Sequence, residues 1–260
     1  MVSDFGHKHL TGLLWLCSLI LVALIILLII RKKKNLGEAF DKSVIRYTLY
    51  FMCAWEIVKT IRLINYEDYG PVGYYPLWMA PFHLCSMGFY AYMILSAEKK
   101  TKLEEFIKPF SYAALMIGAL ISLVMPASAG LLGHIDNWSL CFDNILPYQT
   151  WCYHGSLLFV SLYMVLSGYY SPRIRDIFKG VGVLAVTAAF SQSINYILEG
   201  SGADFMTLRY GNGNPFAYLL QGENPIMYYV VLAAVAFGGI AVIIFLTVGI
   251  KALARKMKNK

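Results

Sequence analysis

The sequence predicts an all-α membrane protein, a polytopic bundle of seven transmembrane helices. Its 260 residues are 58% hydrophobic and 15% aromatic but only 14% charged, too little polar surface for a soluble domain. Seven apolar runs reach the roughly 20 residues that cross about 30 Å of hydrocarbon. The predicted spans are Thr11–Ile30, Ser43–Ile64, Pro76–Ala97, Pro109–Leu132, Pro147–Tyr170, Gly180–Glu199 and Pro225–Ile250.

The first run, Thr11–Ile30, is interpreted as a retained anchor rather than a cleaved signal peptide. Its cationic cluster, Arg31–Lys34, follows the apolar stretch, and no small-residue cleavage pattern ends it. Because this run carries no strongly polar residue, we expect it to pack peripherally on a six-helix core. One integral membrane domain results, with an anchor helix and basic loop (1–42), the six-helix core (43–250) and a basic tail (251–260).

The distribution of basic residues predicts the orientation. Most of the 22 lysine and arginine residues, Lys42 and Lys108 among them, lie in four alternate connections, so the N-terminus is expected outside and the C-terminus in the cytoplasm. The net charge of +7 is thus a signal of topology and of anionic lipid. Nothing else in the chain supports binding to nucleic acid.

The outer connections carry the least regular sequence and are where a lid is expected. Asn224–Pro225 combines an N-cap residue with proline at the first position of the last helix. Asn214–Pro215 has the same form, which predicts a short interfacial helix over Pro215–Gln221, stopped by Gly222.

Five cysteines, Cys17, Cys53, Cys85, Cys141 and Cys152, show no paired metal spacing. We therefore expect neither a metal site nor a cofactor. Cys141 and Cys152 could form a disulfide if the outer face is oxidising. The alternative is that all five are small apolar side chains, which is favoured for Cys17 and Cys53.

Polar residues recur at one depth on four of the predicted spans. At 1.5 Å per residue, Lys59 and His83 lie roughly 9 and 10 Å from the outer face, and Glu56 lies roughly 13 Å from it. His154 and Asn195 have similar depths on later spans. Ionisable groups are costly in hydrocarbon and usually mark a site, so the sequence predicts one buried polar pocket. The expected substrate-binding residues are Trp55, Glu56, Lys59, Gln192 and Asn195.

Most of these residues also have a purely structural interpretation. Glu56 and Lys59, three positions apart on one helical face, could be an ion pair that only locks the bundle. Gln192 and Asn195 could be interhelical hydrogen-bond partners. Arg62 is expected to reach the water boundary as a snorkelling side chain.

The two histidines are the sharper candidates. At matched depth they could share one substrate as acid and base, although each could also be a packing histidine. If the third span is a continuous helix, His83 shares its face with Ser86, whereas Cys85 is rotated by about 200°. A dyad between helices, such as Cys85 with His154, stays open, and Ser86 is the other candidate nucleophile.

Three short motifs resemble those of the bacterial YwaF-like integral membrane proteins. They are the run Pro81–Ser86, the step Tyr153–Gly155 and the stretch from Asn195–Tyr196 to Asn214–Pro215. These proteins look related to a eukaryotic multi-pass family that transfers acyl groups between phospholipids through a cysteine. The resemblance covers about Ser43 to the end of the chain.

The resemblance implies a catalytic or pocket role for His83 and His154, which match the histidine positions of the family. Two positions depart from its pattern. Phe82 stands where the eukaryotic members carry the reactive cysteine, directly before the first histidine. Asp204–Phe205 stands near an expected Asn-Tyr pair of the bacterial relatives and alters the charge there.

The favoured function is that of a plasma-membrane enzyme that acts on lipid acyl groups, with membrane lipid as partner and substrate. His154 would be the general base, His83 the acid or oxyanion partner, and Cys85 or Ser86 the nucleophile. Glu56 would orient an imidazole, and Lys59 would bind a phosphate or carboxylate head group. The alternative, from another class, is a transporter or binding protein whose polar layer holds a small anionic or zwitterionic solute.

Overall fold

The computed structural model describes residues 7–65, 73–124, 145–201, 203–208 and 225–258. Within these ranges the chain is helical and contains no strand, which confirms the predicted all-α class. Four of the described helices are long and apolar enough to cross a membrane: Leu10–Lys33, Glu104–Val124, Asp176–Ile197 and Ile226–Met257. The count of seven spans and the orientation stay predictions.

The helices follow the predicted runs with shifted ends. They are α1 (His7–Lys33), α2 (Glu38–Asn65), α3 (Met87–Ser96), α4 (Glu104–Pro109), α5 (Leu115–Val124), α6 (Leu146–Leu166), α7 (Asp176–Ile197) and α8 (Pro225–Lys258). Two short 3₁₀ turns, Leu77–Met79 and Phe205–Thr207, stand before α3 and between α7 and α8. The proposed helix at Pro215–Gln221, the residue Cys141 and the end of the fourth run at Leu132 lie outside the described residues.

The third predicted span is wrong as a continuous helix, because only Met87–Ser96 is helical after the 3₁₀ turn. Pro81 accounts for the break. The residue before a proline is pushed out of the helical region, and Ala80 is accordingly extended, with φ −61° and ψ 151°. His83 therefore lies in a bend and Ser86 in the turn that leads into α3, so the argument from a shared helical face does not apply.

The fourth predicted span begins earlier than expected, since Pro109 lies inside the helix that starts at Glu104. Proline lacks the N–H that would continue the helical ladder. The chain responds with a π-helical turn over Phe110–Ala114, in which the Leu115 N–H bonds the Phe110 carbonyl five residues back. Such a bulge keeps the helix continuous into α5.

The other differences lie at helix ends. The fifth run was expected to reach Tyr170, but α6 ends at Leu166. Gly168 then adopts φ +81°, a conformation that glycine takes without steric cost and that lets the chain turn toward α7.

Close packing of α6 against its neighbours depends on small residues. A Cβ built at Gly88 would lie 2.5 Å from Leu157, and one at Gly155 would lie 2.8 Å from Leu16 of α1. Glycine at these positions lets α3 and α1 approach α6 on two sides. Most of α1 is exposed, in keeping with a helix on the outside of the bundle.

Buried charges join the helices at the end of the bundle that carries the basic connections. Arg31 of α1 donates two hydrogen bonds, of 2.7 and 2.9 Å, to the carboxylate of Asp41. Tyr163 of α6 donates a third, of 2.7 Å, to the same group. Asp41 is fully buried, so its position depends on these donors. Three helices, α1, α2 and α6, thus meet at one carboxylate.

A second buried carboxylate, that of Glu104, lies nearby. Lys42 Nζ is 3.0 Å from Glu104 Oε1, and the two side chains are only 8% and 2% exposed. Lys108 adds an ammonium 3.6 Å from Oε2 and also lies 3.8 Å above the ring of Tyr169. Sequence reasoning placed Lys42 and Lys108 among the basic loop residues and missed this cluster.

We expect Glu104→Gln to destabilise the protein strongly, by about 3 kcal/mol, because it leaves a buried ammonium without its counter-charge. The adjacent Glu105 is the matched control. It pairs with Lys179 at 3.1 Å but is 70% exposed, so Glu105→Gln should leave the stability nearly unchanged.

Thermal unfolding of the purified protein in detergent checks this difference. The double variant Lys42→Met with Glu104→Met should recover part of the loss, since no Lys42 charge is then left unpaired, while Lys108 and the Ala97 carbonyl still lose a partner. Equal midpoints for the two single glutamate variants would contradict the assigned role of Glu104.

Candidate functional site

The candidate site lies at the opposite end of α2 from the basic connections. Lys59 Nζ is 2.5 Å from Glu56 Oε1, and both side chains are mostly buried. Lys59 also donates a 3.4 Å hydrogen bond to the Met79 carbonyl, and the Tyr75 hydroxyl donates one of 2.8 Å to the same oxygen. The irregular segment before α3 is thus tied to α2 through this carbonyl.

His154, in the third turn of α6, has a defined tautomer. Its Nδ1 lies 2.8 Å from the Thr150 carbonyl oxygen, which can only accept, so Nδ1 carries the proton of that bond. In the neutral ring, Nε2 then holds the lone pair. Lys59 and His83 both lie near enough to act electrostatically on this imidazole. These three predicted site residues therefore lie at the same end of the bundle.

His83 lies in the bend between Pro81 and α3. Its ring packs edge to face against Phe205, with 5.1 Å between centroids. Phe205 also packs against Phe82 at 5.3 Å, and it is completely buried. Phe82 and Phe205 consequently form an aromatic cluster beside the His83 ring.

The two candidate nucleophiles face different neighbours. The Cys85 thiol lies 3.8 Å from the Ser122 hydroxyl of α5. Ser86 lies beside the Tyr153 hydroxyl, which donates a 3.3 Å hydrogen bond to the Cys85 carbonyl. Ser86 therefore lies beside Tyr153, the residue directly before His154 in the sequence.

Tyr153 is the residue that sequence reasoning missed. It is buried, its ring lies 5.6 Å from that of His154, and its hydroxyl is within the electrostatic influence of Glu56. A buried tyrosine hydroxyl usually has a hydrogen-bond partner. The signal that the sequence offered was the position of Tyr153 directly before His154.

The remaining predicted residues occupy varied environments. Asn195 is fully buried and bonds the backbone of Phe205, whereas Gln192 is exposed and accepts a 3.3 Å hydrogen bond from Asn195. Trp55 is half-buried and packs edge-on against Phe51. Arg62 was expected at the water boundary; that was wrong, since it is only 2% exposed.

Metal-ligand chemistry is not apparent at this end of the bundle. Among the described residues, histidine, cysteine, aspartate and glutamate form no group of three that could hold a metal ion. Cys152, in the first turns of α6, carries a free thiol; its proposed partner Cys141 lies outside the described residues.

Comparison with models of known protein families assigns the chain to a family of membrane proteins. The model of the TMEM164 family matches residues 5–247. The chain belongs to the TMEM164 family. No curated protein and no solved structure matches it. Membership of this multi-pass family, together with the apolar helices, supports a location in a membrane.

The Glu56–Lys59 pair gives a direct test of coupling within the site. We expect Glu56→Gln and Lys59→Met each to lower stability by about 2 kcal/mol, because either leaves one mostly buried charge unpaired. Removing both charges should cost less than removing either one. The thermal midpoint in detergent measures the effect.

A matched control is the pair of Lys100 and Glu38, which lie 3.2 Å apart with both side chains well exposed. Its single variants should each change stability by less than about 1 kcal/mol. Equal damage in the two single variants and the double variant of the Glu56–Lys59 pair would show that these charges do not interact.

Proposed function

We propose that this protein is a plasma-membrane enzyme that acts on the acyl groups of membrane lipids, by transfer or by hydrolysis. The observation that carries the proposal is the hydrogen bond between His154 Nδ1 and the Thr150 carbonyl, in an imidazole that Lys59 and His83 influence electrostatically. An imidazole fixed in this way presents Nε2 as a base. The resemblance of three short motifs to those of the YwaF-like proteins lends support.

The reaction begins with a hydroxyl or thiol made nucleophilic by His154. Ser86 Oγ or Cys85 Sγ attacks the carbonyl carbon of a lipid ester, and Nε2 of His154 takes its proton. The ester bond then breaks, and the released alcohol oxygen takes a proton from the imidazolium. The acyl group passes from the enzyme to an acceptor hydroxyl or to water, which regenerates the nucleophile.

The surrounding groups suit the other needs of this reaction. His83, in its protonated form, or Lys59 can stabilise the negative charge that develops on the carbonyl oxygen. Lys59 can instead contact a phosphate of the lipid head group. Glu56 compensates the charge of Lys59 when no substrate is present.

The contacts of the two nucleophile candidates favour Ser86. The Cys85 thiol contacts Ser122 on α5. The Ser86 hydroxyl instead lies beside that of Tyr153, whose ring packs against the His154 ring. With the orientation expected from the positive-inside rule, this end of the bundle would lie in the outer leaflet. The enzyme would therefore take lipid from that leaflet.

An acyl-enzyme is the product to look for. Full-length protein in nanodiscs of phosphatidylcholine and phosphatidylethanolamine should gain one acyl mass, located by peptide mass spectrometry on Ser86 or Cys85. Adduct formation should fall at least about a hundredfold in His154→Gln, the typical worth of a general base. Substitution of the acylated residue by alanine should remove the adduct.

Ser122→Ala is the matched control, because it alters the neighbour of Cys85 but no residue assigned to the reaction. It should leave a Ser86 adduct unchanged. Absence of any adduct, with unchanged lipid composition in cells that overexpress the protein, would overturn the enzyme. If both histidine variants then abolished binding of a solute, the transporter or binding-protein alternative would be the better account.

A further inference from the structure

Two polar side chains of α7 bind the segments on either side of His83. Ser191 and Asn195 are four residues apart, so they lie on one face of the helix, and both are fully buried. Ser191 Oγ donates a 2.8 Å hydrogen bond to the carbonyl of Phe82, the residue directly before His83. Asn195 holds Phe205, whose ring packs against the His83 imidazole.

The side-chain amide of Asn195 uses both of its hydrogen-bond donors within the protein. Its Oδ1 accepts a 2.7 Å hydrogen bond from the Phe205 N–H. Its Nδ2 donates to the Phe205 carbonyl at 3.1 Å and to Gln192 Oε1 at 3.3 Å. An amide nitrogen has two hydrogens, so this group has none left for a substrate.

The loop that Asn195 holds is not one that the chain would adopt unaided. Met206, directly after Phe205, has φ +59°, a conformation that non-glycine residues rarely take and that persists only where neighbouring contacts impose it. Two backbone hydrogen bonds to a buried side chain provide such contacts. Phe205 is thereby fixed between Phe82 and His83.

We infer that Ser191 and Asn195 are positioning residues, which together set the orientation of the His83 imidazole. Ser191 fixes the backbone from which the side chain of His83 departs, and Asn195 fixes the ring against which it packs. Removal of either hydrogen-bonding group frees one side of the bend. The role in catalysis rests on the proposed function, but the geometry of His83 does not.

The test measures each histidine separately in the full-length protein in detergent. Diethyl pyrocarbonate modifies neutral imidazoles, and peptide mass spectrometry gives the rate for each site. We expect Ser191→Ala, Asn195→Asp and Phe205→Leu to raise the rate at His83 by about threefold or more, as a loosened supporting shell predicts. The rate at His154, which is held by Thr150, should not change.

Two controls separate positioning from general loosening. Ser193→Ala removes an exposed hydroxyl that donates a hydrogen bond to the Ala189 carbonyl of its own helix, so it should leave both rates at the wild-type value. Ser191→Thr keeps the hydroxyl and should restore the wild-type rate at His83. If Asn195→Asp does not fold, the Ser191 pair and Phe205→Leu decide the outcome.

An unchanged rate at His83 in the folded variants would overturn the inference, as would a parallel increase at His83 and His154. Because the measurement needs no lipid turnover, it distinguishes this inference from the proposed function. A chain that never acylates can still show the selective change at His83. If the protein forms the acyl adduct but shows no selective change at His83, the proposed function stands and the positioning role of Ser191 and Asn195 is wrong.

Discussion

A broken helix inside a membrane bundle must have its backbone hydrogen bonds completed by side chains, and this constraint organises the candidate site. Irregular backbone at membrane depth is tolerated only where the protein itself satisfies it. Pro81 interrupts the third apolar run, and the freed carbonyls of Met79 and Phe82 accept side-chain hydrogen bonds. The Cys85 carbonyl accepts one from Tyr153 in addition to its backbone bond from Gly88. The donors come from α2, α6, α7 and the segment itself.

The same constraint explains the polar residues at the far end of α3. The carbonyls of Leu95, Ser96 and Ala97 accept hydrogen bonds from Tyr169, Arg46 and Lys42, at 3.1, 2.7 and 2.8 Å. The last carbonyls of a helix have no partner within it. A helix of only ten residues is thus secured at both ends by its neighbours, and Lys42 contacts both the Ala97 carbonyl and the buried carboxylate of Glu104.

The sequence allowed the helical class and the approximate apolar runs to be predicted, because apolar length is a local signal, whereas the grouping of His83, His154 and Lys59 as a functional site stays a prediction. It did not reveal the irregular path before α3. Pro76 begins the predicted run and Pro81 lies five residues into it, yet hydropathy alone counts both as compatible with a span. Glu104 and Lys42 lie far apart in the sequence, and no periodic pattern of residues predicts their contact. Arg62 was misplaced for the opposite reason, since closeness to a helix end does not determine burial.

The charges at the site bear on the class of ligand. Glu56 and Lys59 neutralise each other at 2.5 Å, and the hydrogen bond from Nδ1 of His154 to Thr150 is compatible with a neutral ring. A small anion would have to compete with Glu56 for Lys59, whereas an uncharged ester carbonyl needs only donors and a base. A lipid ester also brings apolar chains that the surrounding bilayer already solvates. These two arguments favour an acyl ester over a free anionic solute, and they leave Lys59 to bind a head-group phosphate only where that phosphate displaces the carboxylate of Glu56.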